Sequence, residues 1–296
     1  MEARYGALEA GGTKMVCAIT DVEGGILDRC RIPTGHPEDC LPGIVDFFRG
    51  RVDALGIGTF GPVDVDPDSI RYGDIGACVK DGWSGFPLGR RLSDELGVPF
   101  SVDTDVNAAC LGECTFGSSR GLGTVAYITV GTGIGVGLCI SGKPFHGNRH
   151  PEGGHIKVAR IPGDVMEGVC PYHPECIEGL ASGPALRRRF CRDPSTVPWD
   201  DPGWSVEAEY LSQLVCTCLL MYSPDRIVIG GGVMERTHLF GMIREKAVEH
   251  LGGYLDHDSL DDIVVPASLD GDQGVLGAAQ LAIDSAVMKL DASGYK

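Results

Sequence analysis

No apolar run in this 296-residue chain reaches the length that a membrane-spanning helix needs. The first residues, "MEARYGALEAGG", lack a basic stretch followed by an apolar core, so no secretory leader is expected and the expected compartment is the cytoplasm. Positive charge is scarce. Lys and Arg number 25 against 41 Asp and Glu, a formal charge of −16, which argues against nucleic acid as a partner. The deficit still allows an anionic small ligand, because backbone amides and a bound cation can make one pocket locally positive. There is no Walker A motif, and no G-x-G-x-x-G opens a helix, so P-loop and Rossmann nucleotide sites are poor readings. No low-complexity tail or separate linker domain is present.

What the chain has in quantity is glycine, 44 residues clustered in short runs beside apolar strands. Such loops suit close approach to a ligand. Hydrophobic residues make up 43%, enough for a sizeable core. Of the twelve cysteines, Cys17, Cys139, Cys216 and Cys218 lie in apolar patterns and read as reduced and buried.

Residues 5–32 read as two or three strands around a Gly-Gly turn, followed by a short helix near 41–49. "ALGIGTFGPVDVD" (54–66) is a buried strand entering a glycine-proline loop, and "SVDTDVNAACLGE" (101–113) is a strand ending in acids, then a helix. Residues 124–145, "TVAYITVGTGIGVGLCISGKPF", repeat the opening order of strand, Gly-Thr turn and strand, which suggests duplication. Leu211, Leu214, Val215, Cys218, Leu219 and Tyr222 recur at helical spacing within 205–223. "DRIVIGGGV" (225–233) is a buried strand, and residues 273–290 form a long last helix. The expected class is α/β, in two lobes of 1–116 and 117–296 with a cleft between them.

"EAGGTK" (9–14) and "GTGIGVG" (131–137) each set a glycine turn between two strands. Each alone reads equally as a tight hairpin without a ligand. Their matching positions in two halves favour a nucleotide clamped between lobes, with phosphate oxygens on the turn amides. "GGG" (230–232) would let an adenine lie against the backbone.

In "DTDVNAA" (103–109), Asp105 stands where a strand becomes a helix. It reads as a helix cap or as the carboxylate that takes a proton from an attacking hydroxyl. His155, Cys170, His173 and Cys176 have the ligand types and spacing of a closed structural zinc knuckle, with a Cys170–Cys176 disulfide as the rival. His146 and His150 are spare ligand candidates or exposed loop histidines, and Glu152 and Glu178 flank the metal candidates.

Taken in order, "EAGGTK", "GTFGPVD" (58–64), "DTDVNAA", "YITVGTGIGVGLCISGKPFHG" (127–147), "PEGGHI" (151–156), "CPYHPECIEGLASGP" (170–184) and "IVIGGGV" (227–233) make the chain resemble the ROK family of bacterial sugar kinases, most closely the fructokinases. The resemblance covers nearly the whole chain. It implies the two-lobed actin-like, ribonuclease H-like ATPase fold with duplicated mixed β-sheets, and the substrates ATP and a hexose. Asp105 would be the general base for the sugar 6-hydroxyl. Gly61, Thr104, Asp105, Glu152, His155 and Glu178 would line the sugar. Gly11, Gly12, Thr13 and Lys14 would face the phosphates from one lobe, and Gly131, Thr132 and Gly133 from the other. Gly231 and Gly232 would lie under the adenosine. Glu9 would stand near Mg²⁺. His155, Cys170, His173 and Cys176 would hold a structural Zn²⁺ that pins the loop presenting His155 and Glu178. A homodimer is implied as well.

Where relatives carry Thr-Pro-Lys before a Trp, this chain has "ACVKDGW" (77–83), which keeps Lys80 and Trp83 but not the Thr-Pro and leaves mannose, glucose or an N-acetylhexosamine as alternative sugars. A non-catalytic sugar sensor on the same fold is the rival from another class. A metal hydrolase is a third reading, disfavoured because four protein ligands would close the metal's shell.

Overall fold

The computed structural model describes residues 2–255 and 259–293, with side chains through Val287. The chain divides into two compact units. One contains the residues up to Gly121, Gly142–His150 and the chain from Ser268 onward; the other contains Leu122–Ser141 and Pro151–Ala267. No helix among the described residues is long and apolar enough to cross a membrane.

The first unit opens with β1 (Tyr5–Ala10), β2 (Lys14–Thr20) and β3 (Ile26–Pro33). There follow α1 (Pro37–Phe48), β4 (Ala54–Thr59), α2 (Leu88–Leu96), β5 (Phe100–Thr104) and α3 (Asp105–Thr115). The second unit begins with β6 (Thr124–Val130) and β7 (Ile134–Ile140), and the short β8 (Lys143–Pro144) lies in the segment that returns to the first. The second unit resumes with α4 (Ile177–Ala181), α5 (Gly183–Phe190), α6 (Gly203–Tyr222), β9 (Arg226–Gly230), α7 (His238–Leu251) and β10 (Val264–Pro266). The last helix, α8 (Gln273–Ser293), belongs to the first unit.

In the first sheet the order is β3-β2-β1-β4-β5. β1 runs antiparallel to β2 and parallel to β4, and β4 runs parallel to β5. In the second unit the strands follow β10-β9-β6-β7, with β6 antiparallel to β7 and parallel to β9, and β9 parallel to β10. Each unit therefore builds an antiparallel hairpin with two parallel strands added on the side of its first strand. The duplication expected from the two Gly-Thr turns is present.

β1 and β4 are almost wholly buried, because helices cover the faces of the parallel strands. α8 packs on this sheet through Val275, Ala278, Ala279 and Ala282. Its crossing with α3 is close enough that a Cβ on Gly112 or Gly277 would collide with the facing helix backbone, at Gln273 and Ala108. α1 begins earlier than the sequence pattern suggested. Pro37 occupies its first turn, and His36 caps it by accepting from the Glu38 amide, while Pro42 is carried inside the helix.

In the second unit Leu211, Leu214, Val215, Cys218 and Leu219 of α6 are buried, as the helical spacing predicts, whereas Tyr222 is half-buried; Trp204 and Tyr210 of the same helix are buried as well. Each large apolar side chain stabilises the fold by roughly 1.5–3 kcal/mol. Among them lies Glu207, fully buried, with neither carboxylate oxygen hydrogen-bonded to any described residue. Burial holds its pKa well above the ordinary value, and the Arg189 charge offsets this only in part. An acid whose pKa rises on folding binds its proton more tightly in the folded state. Its contribution is complete below the unfolded pKa of about 4.3 and is lost as pH rises toward the folded value. Glu207→Met is therefore expected to stabilise the protein by about 1–3 kcal/mol at pH 8, with the gain shrinking toward pH 4. Thermal melts across that range test this. A variant no more stable than wild type at pH 8 would refute the unpaired carboxylate.

Candidate active site

The segment 103–107 divides its work among neighbouring side chains. Thr104 is the cap of α3, its hydroxyl oxygen accepting the Asn107 amide at 3.1 Å. Asp105 is thereby the first residue of the helix rather than its cap; it is half-buried, and its Oδ1 accepts the Val106 amide at 2.8 Å. Of the two readings of Asp105, the capping role belongs to its neighbour. Thr104 itself is buried. Asp103, 1% exposed, braces both sides of this junction. Its Oδ1 accepts the Thr104 amide at 2.7 Å and the Asn107 side-chain amide at 2.8 Å.

The second oxygen of Asp103 pairs with His146 Nε2 at 2.7 Å. That hydrogen bond raises the His146 pKa, against the opposing effect of burial. His150 is buried and its Nε2 accepts the Val63 amide at 3.1 Å. Neither histidine is the free loop residue that the sequence suggested; both tie Gly142–His150 to its own unit. Gly61 is half-exposed, ahead of a cis peptide to Pro62.

The first glycine turn, Gly11–Thr13, joins β1 to β2. Every carbonyl in it is taken. Thr34 donates its hydroxyl to Gly11 O at 2.9 Å and its amide to Thr13 O at 3.1 Å, and Lys80 Nζ donates to Gly12 O at 2.7 Å. The Gly12 and Thr13 amides have no partner among the described residues, and Gly12, Thr13 and Lys14 are exposed. The turn thus presents donors outward, as an anion cradle requires. Glu9 stands at the end of β1, its pKa raised by burial against the lowering charge of Lys14.

In the second unit the matching turn, Gly131–Gly133, is closed by a Gly131 amide bond to Gly133 O at 2.9 Å. Glu178, in the first turn of α4, accepts the Ile134 amide at 3.1 Å. A Cβ on Gly133 would stand 2.6 Å from the same carboxylate, so glycine is what lets the turn meet Glu178. Thr132 and Glu152 are exposed. Gly231 takes φ 95°, a left-handed value, and a Cβ there would run into the Val130 backbone. Gly232 then lines a cavity of about 390 Å³ together with Leu186, Asp193, Ser195, Trp204 and Arg236.

The four metal candidates converge in the same unit. The donor atoms of His155, Cys170, His173 and Cys176 all lie within 4.8 Å of one another. His155 Nδ1 is 3.7 Å from Cys170 Sγ and 3.8 Å from Cys176 Sγ. A tetrahedral ion with Zn–S of about 2.3 Å and Zn–N of about 2.0 Å separates such a pair by about 3.5 Å, so the set fits zinc. Cys170 and Cys176 are free thiols. Burial pushes the Cys176 thiol up to about 11, so a thiolate there calls for an adjacent cation. The Gly179 amide donates to Cys176 Sγ at 3.3 Å, and Ile177 N bonds Ile156 O at 3.0 Å, fastening the knuckle beside the His155 segment. The intervening loop is held by Asp164. Burial opposes its charge, but hydrogen bonds from Arg189 and Tyr210 outweigh this and keep its carboxyl below the ordinary range.

The sequence reading passed over Asp103, Trp204 and Arg236, and gave Lys80 no role. Asp103 and Lys80 stood inside quoted motifs; Trp204 and Arg236 carried no local signal, since only the fold brings them to Gly232.

A fructokinase of Pediococcus pentosaceus is 41% identical over 278 residues, covering 94% of this chain and 96% of the relative. A fructokinase of Streptococcus mutans (serotype c, strain ATCC 700610 / UA159) is 36% identical over 289 residues, covering 95% and 98%. The crystal structure of a ROK hexokinase from Thermus thermophilus superposes with a TM-score of 0.77 at 26% identity, covering 98% of this chain and 99% of that one. The ROK family model matches residues 5–285. With two duplicated mixed sheets, paired glycine turns and relatives along nearly its whole length, the chain belongs to the ROK family.

Proposed function

We propose that this protein is an ATP-dependent hexose kinase that converts D-fructose to fructose 6-phosphate. The observation that carries the mechanism is the division of labour at 103–107. Thr104 caps the helix, Asp103 fixes the backbone, and Asp105 is placed half-exposed at the end of a buried strand. α/β proteins hold their ligands at such strand ends. The choice of fructose is supported by fructokinase relatives at 36–41% identity.

In the reaction Asp105 takes the proton of the sugar 6-hydroxyl as that oxygen attacks the γ-phosphorus. The new O–P bond forms, the bond to the β-phosphate oxygen breaks, ADP leaves, and the proton passes to solvent. The Gly12 and Thr13 amides receive phosphate oxygens, and the Thr132 and Gly133 amides of the second turn have the same role, the Gly131 amide being used within that turn. The cavity beside Gly232 takes the nucleoside. Glu152, His155 and Glu178 hold sugar hydroxyls, with His155 using Nε2 while its Nδ1 faces the Cys170 and Cys176 sulfurs. Mg²⁺, held near Glu9, would offset charge on the β- and γ-phosphates. His155, Cys170, His173 and Cys176 would hold zinc, whose part is to fix the loop rather than to react. Positioning and electrostatics supply most of the acceleration, and water is kept from the phosphoryl group because it is a competing acceptor.

The test is ADP release with Mg-ATP across fructose, mannose, glucose and N-acetylglucosamine. Fructose is expected to give the highest kcat/KM. Preference for another sugar would keep the chemistry and move specificity to Thr104 and the 77–83 loop, where the "ACVKDGW" departure favours that second reading. Folded protein that turns over none of them would overturn the kinase reading in favour of a sugar sensor.

A further inference from the structure

Lys80 sits in the 77–83 loop, and the structure carries it to the first glycine turn. Its ammonium is 2.7 Å from Gly12 O and 3.4 Å from where a Cβ on Gly12 would stand. It therefore flanks the turn on the side that glycine leaves open. The placement is not that of a loose surface lysine. Trp83, 1% exposed, anchors the loop by donating Nε1 to Gly35 O at 2.8 Å and packing edge-on against Phe60 and Phe86. Ile75 and Phe86 close its base with a backbone hydrogen bond of 2.9 Å. The ammonium lies 5.0 Å above the Phe60 ring, which favours a cation electrostatically without neutralising it. Unlike Lys157 and Lys246, Lys80 is held in no ion pair among the described residues.

An ammonium has three donors, and the Gly12 carbonyl uses one. The other two remain for an anion at a turn whose own amides at Gly12 and Thr13 lack partners. We infer that Lys80 is a catalytic residue that binds the phosphoryl group during its transfer, supplying positive charge where negative charge is redistributed. This rests on the kinase reading above and adds to it the residue that contacts the transferred group. A cation preset by Trp83 and Phe60 needs no reorganisation as the reaction proceeds, which is where electrostatic catalysis gains most.

The bland alternative is a strut, with Lys80 merely bracing Gly12. Charge separates the two roles. Lys80→Gln keeps a donor for Gly12 O and loses the charge; Lys80→Met loses both; Lys80→Arg keeps both. With Mg-ATP and the sugar that the unsubstituted enzyme turns over best, Gln and Met variants are expected to lose about 10²-fold in kcat. Sugar KM should stay within about threefold, the pattern of an interaction made only in the transition state. Arg should restore most of the rate, and calorimetric ADP affinity should be unchanged in all three. A Lys80→Gln enzyme with wild-type kcat would establish the strut and overturn the catalytic role while the kinase reading stands. Absence of turnover in the unsubstituted protein would remove both.

Discussion

Asp105→Asn is expected to lower turnover with the preferred hexose by about 10³-fold or more, within the range that a positioned general base supplies. The fold should tolerate the change. The side-chain bond to the Val106 amide uses Oδ1, which asparagine retains, and the cap of α3 is provided by Thr104. The charge at the helix N-terminus is lost, and that is worth about 1 kcal/mol or less. Melting and far-UV dichroism should therefore match wild type while ADP release collapses. Sugar KM should move far less than kcat, because the carboxylate matters most when the hydroxyl gives up its proton. A variant that keeps more than about a tenth of wild-type turnover would remove Asp105 as the base.

Cys176→Ser is expected to lose one zinc per chain by elemental analysis, and with it several kcal/mol of stability, a fall of about 10 °C in a chain of this size. The substitution isolates the metal. Cys176 caps α4 by accepting the Gly179 amide, and serine is a good cap, so the helix end should survive the change. Sugar KM should rise, since the loop carrying His155 and Glu178 would no longer be fixed. Cys170→Ser should behave alike through a residue with no capping role. A wild-type protein purified without chelator that contains no zinc, yet melts cooperatively and turns over, would refute the knuckle.

Much of the architecture was legible in one dimension. Strand and helix periodicity is local, so β1, β6, β9 and α6 could be placed from their apolar patterns. The duplication showed itself because both units need a glycine turn at the same point of the same hairpin. The Cys/His cluster was legible because its four residues fall within 22 positions, close enough for ligand spacing to carry meaning. Asp105 could be singled out, but its role could not, because cap and base call for the same residue at the same place.

Other features were decided by tertiary structure. The contacts that define them join residues far apart in the chain: 43 positions for His146 and Asp103, 68 for Lys80 and Gly12, 87 for His150 and Val63. Periodicity and motif spacing say nothing at such distances, since chain closure depends on how whole elements pack. The type and order of the elements and the donor types of the Cys/His cluster were therefore set by sequence alone. Which histidine pairs with Asp103 and which lysine stands over the first glycine turn were settled only when packing brought distant hydrogen-bonding groups together.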